Sequence, residues 1–142
     1  MNGPHNLQRF EEAQNGLIET VERELDAGSK RSHWMWFVFP QVEGLGSSPT
    51  ARKYAISSLE EARAFLEHSV LGPRLRKWTQ LVLNVEGKSA EEIFGYPDYL
   101  KFRSSMTLFS RVAETGSPFE KALEKYYGGK PDGKTLRILG IE

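Results

Sequence analysis

The sequence predicts a mainly α-helical fold: a single compact multi-helix domain over residues 1–142, with at most a few short strands. Three observations point there. Apolar residues recur every three or four positions in five segments, the spacing of one buried helix face. Those segments start near asparagine, serine or proline, and several stop at glycine. The 142-residue length is enough to bury one real core. The helices are expected near residues 7–27, 58–68, 73–85, 97–113 and 118–127.

In the first helix Leu7, Phe10, Leu17, Ile18, Val21 and Leu25 share a face, with Asn6 placed to cap it and Gly28 to end it. Gln14 lies inside that apolar face. A buried amide must be hydrogen-bonded or it destabilises the fold, so Gln14 is expected to meet either a loop backbone or a ligand.

Residues 32–41, S-H-W-M-W-F-V-F-P-Q, hold two of the three tryptophans. Six consecutive apolar residues, Trp34 to Phe39, must leave water and should dominate the core. Their number suits a buried strand; a short buried helix capped by Ser32 is the alternative. His33 reads either as a core-edge histidine bonded to a carbonyl or as an acid/base or ligand-orienting imidazole. Residues 42–50 are loop-like, with Gly44 and Gly46, and residues 51–56 suit a short strand or an extended lead-in.

Ser57 and Ser58, followed by Glu60 and Glu61, form a doubled capping-box pattern before a helix burying Ala62, Phe65 and Leu66. Gly72-Pro73 opens the next, with Leu75, Trp78, Leu81, Val82 and Val85 on its apolar face. Arg74 projects into that sector within the first turn, where a cation opposes the helix dipole. A salt bridge, an alkyl stem lying on Trp78, or a bound anion would each account for it. Ser89 and Glu92 make another capping box for a short turn ending at Gly95.

From Pro97 the stripe Tyr99, Phe102, Met106, Phe109 and Ala113 defines a long helix. Trp36, Phe37, Phe102, Met106 and Phe109 are expected to be largely buried. Asp98, Lys101 and Ser105 share the adjoining flank with Leu108 and Val112. They suit either an Asp–Lys pair at the core edge or, with Ser104, the wall of a pocket. Ser117-Pro118 starts the last long helix, with Phe119, Leu123 and Tyr126 inward and Gly128-Gly129 as its stop. Asp132 can cap a final turn holding Leu136 and Leu139.

Composition excludes several classes. The formal net charge is zero, which argues against a nucleic-acid binder working through bulk electrostatics. No cysteine and only three dispersed histidines leave no disulfide, no thiol chemistry and little basis for a zinc site. No cofactor is expected. The polar N-terminus lacks a signal-peptide pattern and no apolar run is long enough to span a bilayer, so a soluble cytoplasmic protein without a membrane partner is expected. Oligomeric state is not legible.

The words S-H-W-M-W-F-V-F-P-Q, G-L-G-S-S, Y-A-I-S-S-L-E-E-A, L-G-P-R-L and Y-L-K-F-R-S-S-M-T-L-F together resemble the bacterial domain-of-unknown-function family numbered eighteen-ten, over nearly the whole chain. Its members are sometimes labelled calpastatin, but a calpain inhibitor is expected to be disordered and this composition is globular. The resemblance implies a small helical bacterial domain and no known reaction. Its words contain His33, Trp36, Gln41, Arg74, Asp98, Lys101, Ser104 and Ser105. A fainter similarity runs to the helical domain acting on ADP-ribose and related N-glycosides, through Ala13-Gln14, Lys101 and Gly128-Gly129.

Two functions follow as expectations. One is a site for a small anionic ligand, such as a nucleotide or sugar phosphate, formed by Gln14, His33, Trp36, Arg74, Asp98, Lys101 and Ser105. Arg74 and Lys101 would approach one shared cleft, and Asp98 would act if a glycosidic bond were hydrolysed. The alternative is a protein-interaction module anchored on Trp34 or Trp36 and Trp78.

Overall fold

Two helices carry the N-terminal apolar stripe: α1 (Gln8–Asn15) and α2 (Ile18–Asp26) in the computed structural model, which describes residues 5–141. The single helix expected over 7–27 is broken at Gly16-Leu17. Glycine is a poor helix former, and Leu17 leaves helical geometry with φ −125° and ψ 5°. The α1 N-cap is Leu7, and no side-chain hydrogen bond from Asn6 caps the helix among the described residues. Asn6 instead adopts a positive φ of 48° and offers its carbonyl to Arg9 Nη1 at 2.9 Å.

The aromatic run is a single helical turn, α3 (Met35–Val38), with Trp34 rather than Ser32 at its N-cap. The strand reading fails because the run has partners on nearly every side, where a strand offers two faces. Phe37 meets Tyr54 at 5.3 Å between ring centroids, and Phe39 meets Phe102 at 4.9 Å and Phe94 at 6.0 Å. Trp34, Met35, Phe37, Val38 and Phe39 are buried. Trp36 is half-buried, which corrects the expectation of a buried Trp36, whereas Phe37, Phe102, Met106 and Phe109 are in the core.

Where an extended segment was expected, a short helix stands: α4 (Pro49–Lys53), capped by Ser48, which accepts the Ala51 N–H at 3.1 Å. The sole strand-like pairing among the described residues is an isolated parallel bridge, Val42 to Ile56.

The remaining elements are α5 (Leu59–Glu67), α6 (Leu71–Leu83), α7 (Ala90–Phe94), α8 (Asp98–Ser110), α9 (Pro118–Tyr127) and α10 (Gly133–Leu139). The Ser89/Glu92 capping box and the caps Ser117 and Asp132 form as the sequence predicts. Helix α6 starts two residues before Pro73, which its first turn tolerates because the missing N–H has no helical partner there. His68 Nδ1 accepts the N–H groups of Val70 and Leu71 at 3.1 Å each and so closes this helix start. Gly72 is required: a Cβ there would lie 2.0 Å from the Leu66 carbonyl oxygen.

Helices α5, α6, α8 and α9 form a layered group around Phe65, Trp78, Phe109 and Phe119, with α2 against α6 and α7 against α8. Arg9 ties the N-terminus to this group. Its guanidinium donates to the carbonyls of His5, Lys53 and Ala55 and to Glu61, whose carboxylate also takes both Ser57 donors.

Glu24 performs the same service for the aromatic run. It is 7% exposed and accepts the N–H groups of Arg31 and Ser32, the Ser32 hydroxyl and the Trp34 indole N–H. Burial alone would raise its pKa. The donors outweigh burial and hold it at about 2, against an ordinary 4.5. The carboxylate therefore stabilises the fold above pH 4.5, and that stability disappears as pH falls through about 2. Glu24→Gln is expected to lower stability by roughly 3 kcal/mol at pH 7. In urea titrations at a series of pH values this gap should shrink below pH 4.5; a gap independent of pH would refute the assignment.

Candidate functional site

The single-turn geometry of α3 turns one aromatic outward. Trp36 and Gln41, which follows the turn, wall a cleft of about 700 Å³. The loop at residues 45–48 and the start of α4 form a second wall, and Leu100, Lys101 and Ser104 of α8 a third. The start of α10 closes the cleft with Asp132, Lys134 and Arg137.

Helix α10 is held there by α8. Arg103 donates to the carbonyls of Lys130 and Pro131 at 3.0 Å each, and Thr107 Oγ1 accepts the Asp132 N–H at 2.8 Å. Asp132 in turn caps α10 by accepting the Thr135 N–H and hydroxyl. A second lobe of about 300 Å³, between Gly44, Leu45 and Ile138, shares Lys134 and Arg137 with the main cleft.

Charge is unevenly placed around this space. Lys30, whose side chain is 7% exposed, lies 2.7 Å from Asp98 Oδ2 and donates to the Ser32 carbonyl at 2.6 Å. Lys101 approaches the other oxygen of Asp98 at only 3.7 Å. One carboxylate thus faces two ammonium groups and is matched by the buried one. Lys101 keeps its charge toward the cleft, with Nζ 5.4 Å from the centroid of the Trp36 ring. Lys134 is exposed and has no ion-pair partner among the described residues.

The sequence-predicted residues separate into distinct places. Trp36 and Lys101 line the cleft, and Asp98 stands behind Lys101. Gln14 and Arg74 meet each other and are not among the lining residues of this cleft. Gln14 is 1% exposed, donates to the Phe37 carbonyl at 2.7 Å and accepts from Arg74 Nη1 at 3.1 Å. Arg74 Nη2 donates to Asn15 Oδ1 at 2.9 Å. The guanidinium therefore stands at the C-terminal end of α1, where a helix dipole attracts a cation. That contact offsets its unfavourable place at the start of α6 and locks α1 to α3 and α6. Ser105 is fully buried with its hydroxyl unpartnered among the described residues, while Ser104 lines the cleft. His33 is exposed and makes no hydrogen bond or ion pair among the described residues.

The interaction-module reading loses two of its anchors. Trp34 and Trp78 are fully buried, and their indole N–H groups donate to Glu24 and Glu22. Among the described residues no cluster of three or more His, Asp or Glu side chains could hold a metal ion, and no helix is long and apolar enough to cross a membrane.

The model of a family described as a protein of unknown function, DUF1810, matches residues 4–139. The chain belongs to the DUF1810 family. A solved structure, the crystal structure of the conserved hypothetical protein Rv1873 from Mycobacterium tuberculosis, is similar at 55% identity and a TM-score of 0.95. The likeness covers 98% of this chain and 99% of that one. No curated protein matches.

The charge arrangement makes the two lysines of Asp98 unequal. Lys30→Met leaves a poorly solvated carboxylate and is expected to cost about 2–4 kcal/mol. Lys101→Ala removes a longer, more exposed pair and should change stability by less than about 1 kcal/mol. Chemical denaturation of both variants distinguishes them; equal losses would contradict this division of labour.

Proposed function

We propose that this DUF1810 domain binds a small anionic molecule of the nucleotide or sugar-phosphate class in the cleft between α3, α8 and α10. The observation that carries the reading is the charge of the lining. Two lysines, Lys101 and Lys134, line the cleft beside Arg137 in a chain of zero net charge. The one lining carboxylate, Asp132, is engaged as a helix cap. Apolar walls with a few placed polar groups are the usual make-up of a small-molecule site, and about 700 Å³ falls in the usual size range. Charged donors on semi-enclosed walls bind phosphate or carboxylate oxygens through strong, charge-assisted hydrogen bonds.

The reading is one of binding. Asp98, the carboxylate considered for glycosidic hydrolysis, is engaged by Lys30 at 2.7 Å. Its role in this reading is to position Lys101, and no reaction is assigned. Calorimetric titration with inorganic pyrophosphate and ribose 5-phosphate at low ionic strength tests the reading. Saturable binding is expected, weakened about tenfold or more by Lys134→Ala and by Lys101→Ala, and weakened again by added salt. Absence of saturable binding to these probes and to ADP, or full affinity in both variants, would refute it.

A further inference from the structure

We infer that the anion bound in this cleft carries a nucleobase, stacked on Trp36 with its edge held by Gln41. The inference rests on the anion-site reading and narrows it.

Lysines alone would serve any phosphate. The wall opposite them is more particular. Gln41 is half-buried, and its backbone carbonyl is used by the Ile56 N–H at 2.8 Å. Its side-chain amide has no hydrogen-bond partner among the described residues. The other amide side chain among the described residues that is not exposed, the buried Gln14, is bonded through both of its ends. Gln41 and Trp36 also line together, with Tyr54, a narrow recess of about 20 Å³ that is too small for a ligand.

Trp36 is the one member of the run from Trp34 to Phe39 that is not buried. An indole turned into a cleft beside an unpartnered amide offers a flat apolar face and an adjacent donor and acceptor in one place. A nucleobase matches both: its ring stacks on an aromatic side chain, and its edge carries neighbouring donor and acceptor groups that glutamine reads in pairs. A purine is favoured over a pyrimidine because its two rings overlap more of the indole. The phosphates then fall to Lys134 and to Lys101, whose Nζ lies over the Trp36 ring at 5.4 Å from its centroid and moves off that face when a base stacks there. A sugar phosphate or inorganic anion would use the lysines and leave Gln41 unpaired.

The test compares ADP with inorganic pyrophosphate and ribose 5-phosphate by calorimetry, in the wild type and in Gln41→Ala, Trp36→Leu and Lys134→Ala. ADP is expected to bind about tenfold or more tightly than pyrophosphate. Gln41→Ala and Trp36→Leu should each erase most of that advantage, and Lys134→Ala should weaken both ligands. Should Trp36→Leu fail to fold, Gln41→Ala decides alone, since its side chain holds no hydrogen bond among the described residues. Equal affinity for ADP and pyrophosphate would overturn the nucleobase inference and leave the anion site standing. An ADP advantage that survives Gln41→Ala would also overturn it. No binding of any of the three ligands would remove both readings.

Discussion

The constraint on which the fold depends is the need to hide an unbroken aromatic run while still satisfying its polar atoms. Trp34 brings an indole N–H into a fully buried position, and an unpaired donor there would be strongly destabilising. Glu24 resolves this by accepting that N–H together with three donors of the preceding segment. The charged acceptor is tolerable because four donors, three on Oε1 and one on Oε2, compensate its burial. Once Trp34 is fixed to α2, the rest of the turn is carried into the space between α1, α7 and α8, and Phe39 reaches Phe94 and Phe102. The side that the turn cannot cover is the side on which Trp36 meets the cleft.

Charge is distributed by the same logic. Arg9, Glu24, Glu61 and Lys30 are buried or half-buried, and each is engaged by several partners. Arg74 is held by two amide oxygens and a helix end and requires no carboxylate. The cleft stands apart from this pattern. Its lysines are half-buried or exposed and less fully matched, and the Gln41 amide that lines it with them has no hydrogen-bond partner among the described residues. That contrast is the ground for the proposed site.

Features written within one turn of chain were legible in the sequence. The serine caps at Ser89 and Ser117 and the aspartate cap at Asp132 formed, because their partners lie three residues away. The core stripe of α8 was legible for the same reason: Phe102, Met106 and Phe109 repeat at helical spacing. The break at Gly16 was missed because the apolar spacing continues across it. The aromatic run suited a strand or a short helix alike, because six apolar residues in a row carry no period at all, and the helix is what forms. Trp36 and Lys101 were legible as an aromatic and a cation set against apolar surface. Gln41, Lys134 and Arg137 were not singled out as ligand contacts. The α10 residues look like ordinary surface charges until Arg103 and Thr107 fix that helix beside α8. Arg74 and Lys101 were joined in one expectation because both oppose apolar surface, yet α1 supplies what Arg74 needs.

The central claim is that Trp36, alone among the three tryptophans, faces a ligand. The three indole N–H resonances of the protein report this directly in a two-dimensional NMR spectrum. On titration with ADP the Trp36 signal should shift progressively and saturably, while those of Trp34 and Trp78, sealed in the core by Glu24 and Glu22, stay in place. A Trp36 signal that does not move, or core signals that move in its stead, would contradict the account.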